Sequence, residues 1–143
     1  MLGSLLKGTD SIDSPRDSSY DKDDIFETTP VDLETFLYSP AYLSLSLRLS
    51  KPQMEFVNSL SNIFSDTHFT EGVLMAGQGS GKDTCSILIG LRIMYLLQCL
   101  RSPQEYFGMD INSFIDSINV AQNADIARNI YFSTLSNILR SAP

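Results

Sequence analysis

Tryptophan is absent from the 143 residues, histidine occurs once, at His68, and cysteine twice, at Cys85 and Cys99. The cysteines are fourteen positions apart with no CxxC spacing, and one histidine cannot complete a zinc set, which argues against a zinc site and gives little reason for a disulfide. Reduced core thiols are expected. Basic residues are scarce: 10 Lys plus Arg against 17 Asp plus Glu give a net charge of -7, so the chain as a whole is no electrostatic clamp for DNA. Part of that imbalance lies in residues 10–27, where seven acids face Arg16 and Lys22, so the charge argument against DNA is weak. Long apolar runs are missing as well. The greasiest stretch, 87–100, is interrupted by Gly90, Arg92 and Gln98 and falls short of the roughly 18 residues that cross a bilayer. Residues 1–7 have no basic region ahead of an apolar core, so no secretory signal is read and a cytoplasmic address is expected.

What remains is a composition, 43% hydrophobic and 19% charged, that suits one soluble domain. Residues 3–30 are rich in Ser, Asp, Thr and Gly and offer too little apolar surface to offset ordering entropy, so a disordered arm is expected up to Pro30. The domain is expected from Val31, with a lead-in carrying Phe36, Leu37, Tyr38, Tyr42 and Leu43 and broken at Pro40 and Pro52. Ser50 as N-cap, Pro52 in the first turn, and Phe56, Val57, Leu60, Ile63 and Phe64 at helical spacing predict a helix over 51–64.

The short apolar run 72–76 reads as a strand, residues 77–81 as a glycine-rich turn, and 82–100 as a buried helix. A second strand is expected over 114–121 and a second helix over 123–140, with Ile126, Ile130, Tyr131, Leu135, Ile138 and Leu139 as its stripe. Strand, helix, strand, helix predicts an α/β fold, a parallel sheet with flanking helices and right-handed crossovers. Two strands leave such a sheet incomplete, and the expectation is therefore the N-terminal part of a longer protein or a split gene product.

The segment Ala76-Gly77-Gln78-Gly79-Ser80-Gly81-Lys82-Asp83-Thr84 has the P-loop layout: a small residue, four spacers, then Gly-Lys, between an expected strand and an expected helix. Chemistry requires those types. Glycines let backbone N–H groups turn inward around an anion, and the following helix N-terminus adds its dipole and free donors at the same point. Lys82 would reach the β and γ phosphates of ATP, and the side chain directly after it would face Mg²⁺. Two positions depart from the usual pattern: Ala76 replaces the first glycine, and Asp83 stands where Ser or Thr is usual, with Thr84 one place later. Asp83 could bind the metal directly or through water; without metal its charge would oppose a triphosphate. The bland alternative, a mere turn between strand and helix, is disfavoured by the flanking pattern.

Other features carry less. Gln53 could offer its amide to an adenine edge, although a glutamine is more often an exposed helix residue. The aromatics at 36–42 could stack on a base, but core packing is the commoner use. Asp116 lies mid-strand and is read as solvated; His68 is read as a loop residue without a role.

With these residues in view, the chain resembles the large terminase subunits of tailed bacteriophages, in the N-terminal part of their ATPase domain. The similarity is carried by the lead-in 32–43, by the glutamine segment 49–53, by the loop 77–83 with Asp after the lysine, by 103–108, by 118–121 and by the helix at 127–132. Together these span about residues 31–140. The resemblance implies ATP binding with Mg²⁺, a catalytic Lys82, an adenine-side Gln53, phosphate contacts from residues 76–84 and a metal-facing Asp83. It implies double-stranded viral DNA, a portal or procapsid and a small terminase subunit as partners, a ring in the full-length protein, and action in the host cytoplasm at the procapsid. Gln78 stands where many terminases carry an arginine, and a glutamine cannot supply that charge. The family's Walker B acid and nuclease domain have no counterpart in these residues. Two other readings stay open: a nucleotide kinase-like phosphotransferase, and a nucleotide-binding module without turnover.

Overall fold

The structure, a computed structural model, describes residues 25–65, 71–75, 77–120 and 123–142. Its first helix, α1 (Leu33–Tyr38), is started by Asp32, whose carboxylate accepts the Thr35 N–H at 2.9 Å and the Thr35 hydroxyl at 2.6 Å. These bonds satisfy an orphan donor of the first turn and hold the Asp32 carboxyl below its ordinary range. Helix α2 (Lys51–Ser61) starts as the sequence predicts, with Ser50 at the N-cap and Pro52 in the first turn. It stops at Ser61, before Ile63 and Phe64, because Asn62 leaves helical geometry at φ -83, ψ 77.

Helix α3 (Lys82–Cys99) is the central rod and packs mainly against α2. A short α4 (Pro103–Tyr106) follows. The expected second helix is present in three parts: α5 (Ala124–Ile126), a π-helical stretch (Ala127–Phe132) and α6 (Ser133–Ser141). Of its predicted stripe, Tyr131, Leu135 and Ile138 pack against the core, whereas Leu139 is half exposed.

The core joins α1, the 43–49 segment, α2 and α3 through Leu33, Phe36, Leu37, Leu43, Val57, Cys85, Ile87, Leu88 and Leu91. Phe36 stacks on Tyr95 at 4.8 Å, and Tyr42 meets Tyr95 edge-on at 5.6 Å, so these lead-in aromatics are used in packing. Cys85 and Cys99 are buried free thiols, and burial pushes the Cys85 thiol up.

Two expectations change. No strand forms among the described residues: 72–75 and 114–120 take no regular secondary structure, and the ladder contact present is an isolated antiparallel bridge between Phe26 and Leu100. The reason is physical. A parallel strand takes its backbone hydrogen bonds from neighbours, and neither segment has one here; Met75 is 91% exposed and Phe114 88%. The expected parallel sheet is therefore not formed within these residues. The packed region also begins before Val31. Glu27 N–H donates to the Cys99 carbonyl at 2.9 Å, Arg101 N–H to the Ile25 carbonyl at 3.1 Å, and Phe26 meets Phe64 edge-on at 5.0 Å. Phe26 supplies an aromatic contact that the acid-rich surroundings hid. The rest of the expected arm, residues 1–24, lies outside the described residues, as does His68.

Candidate functional site

The loop between the 71–75 segment and α3 is built by its glycines. Gly79 and Gly81 adopt φ of 76° and 78°, the left-handed region in which an L side chain is strained. Over 77–80 the chain closes a turn in which Ser80 N–H donates to the Gly77 carbonyl at 3.3 Å. Gly81 then becomes the N-cap of α3, and no side chain caps that terminus. Cys85 N–H bonds back to the Gly81 carbonyl at 2.9 Å, which leaves the donors of the first turn at Lys82, Asp83 and Thr84 outside the helical ladder. Positive end, free donors and a left-handed turn coincide.

The expected site residues can now be placed. Gly77, Gln78 and Gly79 are exposed, Ser80 and Gly81 half-buried, and Lys82 and Asp83 exposed on the first turn of α3. Ala76 lies outside the described residues. Thr84 faces elsewhere: it lines a cleft of about 310 Å³ with Leu45, Leu49, Leu88, Thr134 and Ile138, between the lead-in and α6. Asp116 is exposed on the 114–120 segment. A second recess, of about 370 Å³ near Asp32 and Arg92, contains no loop residue.

Gln53 is brought to the loop from α2. Its carboxamide oxygen accepts the Ser50 N–H at 2.8 Å and the Ser50 hydroxyl at 3.0 Å, and its Nε2 donates to the Ser80 carbonyl at 2.8 Å. Three of its four hydrogen-bonding positions are thereby filled from within the protein. Sequence reasoning placed Gln53 near the nucleotide but missed its contact with the loop backbone. The signal available was the Ser50-x-x-Gln53 capping-box pattern, which ties the glutamine oxygen to its own helix start.

ATP and Mg²⁺ fit this loop by the chemistry of its donors. A Cβ at Gly77 or Gly79 would meet nothing within 4 Å, so the backbone is open to close approach by an anion. The Ser80 hydroxyl is buried and has no hydrogen-bond partner among the described residues, a polar atom still to be satisfied. Lys82 and Asp83 supply an ammonium and a carboxylate beside it, residues able to hold a phosphate and a cation respectively. Among the described residues no group of three or more His, Cys, Asp or Glu could hold a metal alone, so any cation here would share its coordination with phosphate oxygens.

Residues 9–143 match the family described as "Uncharacterized protein MJ0330, N-terminal P-loop domain". No curated protein and no solved structure matches the chain. The match covers nearly all of the sequence, and the chain belongs to this family of P-loop domains.

Proposed function

We propose that this member of the MJ0330 N-terminal P-loop family binds ATP with Mg²⁺ through residues 77–83, as the nucleotide-binding segment of a terminase-type DNA-packaging ATPase. One observation carries the nucleotide part. A turn with left-handed Gly79 and Gly81 delivers the chain into the uncapped N-terminus of α3, with Lys82 as its first residue. The backbone donors hold the phosphates, Lys82 neutralises β/γ charge, and Mg²⁺, when bound, offsets the repulsion between Asp83 and the triphosphate. The packaging role is supported by the ordered resemblance of 32–43, 49–53, 77–83 and 103–108 to terminase large subunits. Double-stranded DNA, a procapsid portal and a small terminase subunit are the partners that this role entails. No helix among the described residues is long and apolar enough to cross a membrane.

Titration of the chain with Mg²⁺·ATP, followed by phosphate release with and without double-stranded DNA, tests both parts. Saturable binding lost in Lys82→Ala supports the nucleotide reading. The 143-residue chain is expected to turn over far more slowly than about one per second, an ordinary enzyme rate. Steady turnover at that rate, abolished by Lys82→Ala, would mean that an acid of this chain orients the water. Binding indifferent to Lys82→Ala would refute the proposal.

A further inference from the structure

Gln53 hydrogen-bonds the loop at the carbonyl oxygen of Ser80, and that atom belongs to the peptide that joins Ser80 to Gly81. A trans peptide is planar, with its C=O and N–H pointing in opposite directions. Holding the Ser80 carbonyl toward α2 therefore turns the Gly81 N–H away from α2, to the far side of the turn. The hold is firm because the other end of the carboxamide is anchored: its oxygen takes two donors from Ser50, so the Nε2 edge has a single orientation. Contact is also tight, since a Cβ on Gly81 would lie 2.9 Å from Gln53 Nε2.

Adenine recognition asks something different of the same group. A bidentate match to an adenine edge uses the amide oxygen and the amide nitrogen together. Here the oxygen is committed to Ser50, and one N–H remains. Reading a base with both amide atoms would require breaking the helix cap.

We infer that Gln53 is a positioning residue of the phosphate loop: it fixes the Ser80–Gly81 peptide so that the Gly81 N–H faces the anion, and its effect on affinity is blind to the base. The inference rests on the nucleotide-binding reading above. It makes α2 a stator for the loop. One hydrogen bond of this kind, once lost, lowers anion affinity by about five- to tenfold.

The test compares wild type, Gln53→Met and Gln53→Glu as full chains, titrated with Mg²⁺·tripolyphosphate, Mg²⁺·ATP and Mg²⁺·GTP. The Gly81 amide resonance is followed by ¹⁵N NMR without ligand. Met keeps the length and removes the bonds; Glu keeps the acceptor toward Ser50 and cannot donate to Ser80. Expected is an equal fold-loss for all three ligands in both variants, an unchanged ATP-to-GTP ratio, and a moved Gly81 resonance within an otherwise wild-type spectrum. A loss confined to ATP, with tripolyphosphate unaffected, would overturn the inference in favour of adenine contact. Unchanged affinities, or an unmoved Gly81 resonance, would overturn it outright. Wild type that ignores tripolyphosphate but binds ATP would show that the phosphate reading itself is wrong, and the positioning role would fall with it. Should Gln53→Met lose the wild-type spectrum, Gln53→Glu and Ser50→Ala carry the comparison, the latter with a smaller loss because the Ser50 N–H remains.

Discussion

Arg92 donates through Nη2 to the backbone carbonyl of Val31, 61 positions earlier, and so fastens the lead-in to the middle of α3. The guanidinium lies over the rings of Phe36 and Tyr95, at 5.2 and 5.1 Å, and among the described residues no carboxylate pairs with it. Its Nη1 is buried without a partner among the described residues, and burial pulls its pKa below the ordinary arginine value. Packing and one charge-assisted bond thus oppose a desolvation cost.

That balance can be measured by urea unfolding. Arg92→Ala removes the stem, the ring contacts and the carbonyl bond, and should cost about 2–4 kcal/mol. Arg92→Met keeps most of the packing and relieves the buried charge, so its cost should stay below about 1.5 kcal/mol. Equal costs would mean that the bond to Val31 outweighs the packing.

Alkaline pH should act through Tyr95. Its hydroxyl oxygen accepts the Val31 N–H at 3.0 Å, so Arg92 and Tyr95 together occupy both polar groups of that residue. Burial pushes the phenol up to about 12 from an ordinary value of 10.0; the Val31 N–H, which favours phenolate, offsets this in part. The folded state therefore keeps its proton after the unfolded chain has lost it. Stability is complete below about pH 10 and falls as the pH rises toward about 12. Tyr95→Phe should start less stable by about 1 kcal/mol and decline less steeply across that window. Parallel slopes in unfolding series at increasing pH would exclude Tyr95 as the titrating group.

Gly79→Ala and Gly81→Ala separate backbone strain from contact. Both place a Cβ at positive φ and should each cost about 1–2 kcal/mol of stability. A Cβ at position 79 meets open space, whereas one at 81 meets Gln53. Tripolyphosphate affinity should consequently fall further in Gly81→Ala than in Gly79→Ala, at similar urea midpoints. The reverse order would point to Gly79 as the closer neighbour of the anion.

The metal-facing position is tested by Asp83→Ser and Thr84→Ala. Asp83 is exposed on the first turn of α3, and Thr84, about 100° further round the helix, lines the cleft against Leu45 and Ile138. Asp83→Ser should strengthen ATP binding in chelator and flatten the Mg²⁺ dependence; Thr84→Ala should leave both nearly unchanged. Loss of the metal dependence in Thr84→Ala alone would shift the loop register by one residue.

Local features were the legible ones. The start of α2, the extent of α3 and the glycine turn follow from caps, periodicity and φ preferences, all encoded within a few residues of where they act. The strands were not legible as paired elements, because 72–75 and 114–120 have apolar side chains suited to a sheet but depend for their ladder on a neighbouring strand. Gln53 was noticed for its position, yet its bond to Ser80 spans 27 residues and depends on how α2 packs beside α3. Arg92 read only as an interruption in a greasy helix. Its hint was the company of Tyr95 one turn on and of aromatics in the lead-in, a pattern compatible with a ring-covered cation but not specific to one. The docking of 25–30 was hidden by the acids around it.

Helix α3 carries the phosphate loop at one end and, at the other, the backbone clasp of Ile25 and Glu27 on Cys99 and Arg101. Eighteen helical residues at 1.5 Å each set these ends about 27 Å apart. A donor dye at Glu27 and an acceptor at Gln78 would therefore bracket a rod of known length, neither label on a buried side chain. A change in energy transfer on adding nucleotide would report movement of the loop relative to a pinned far end.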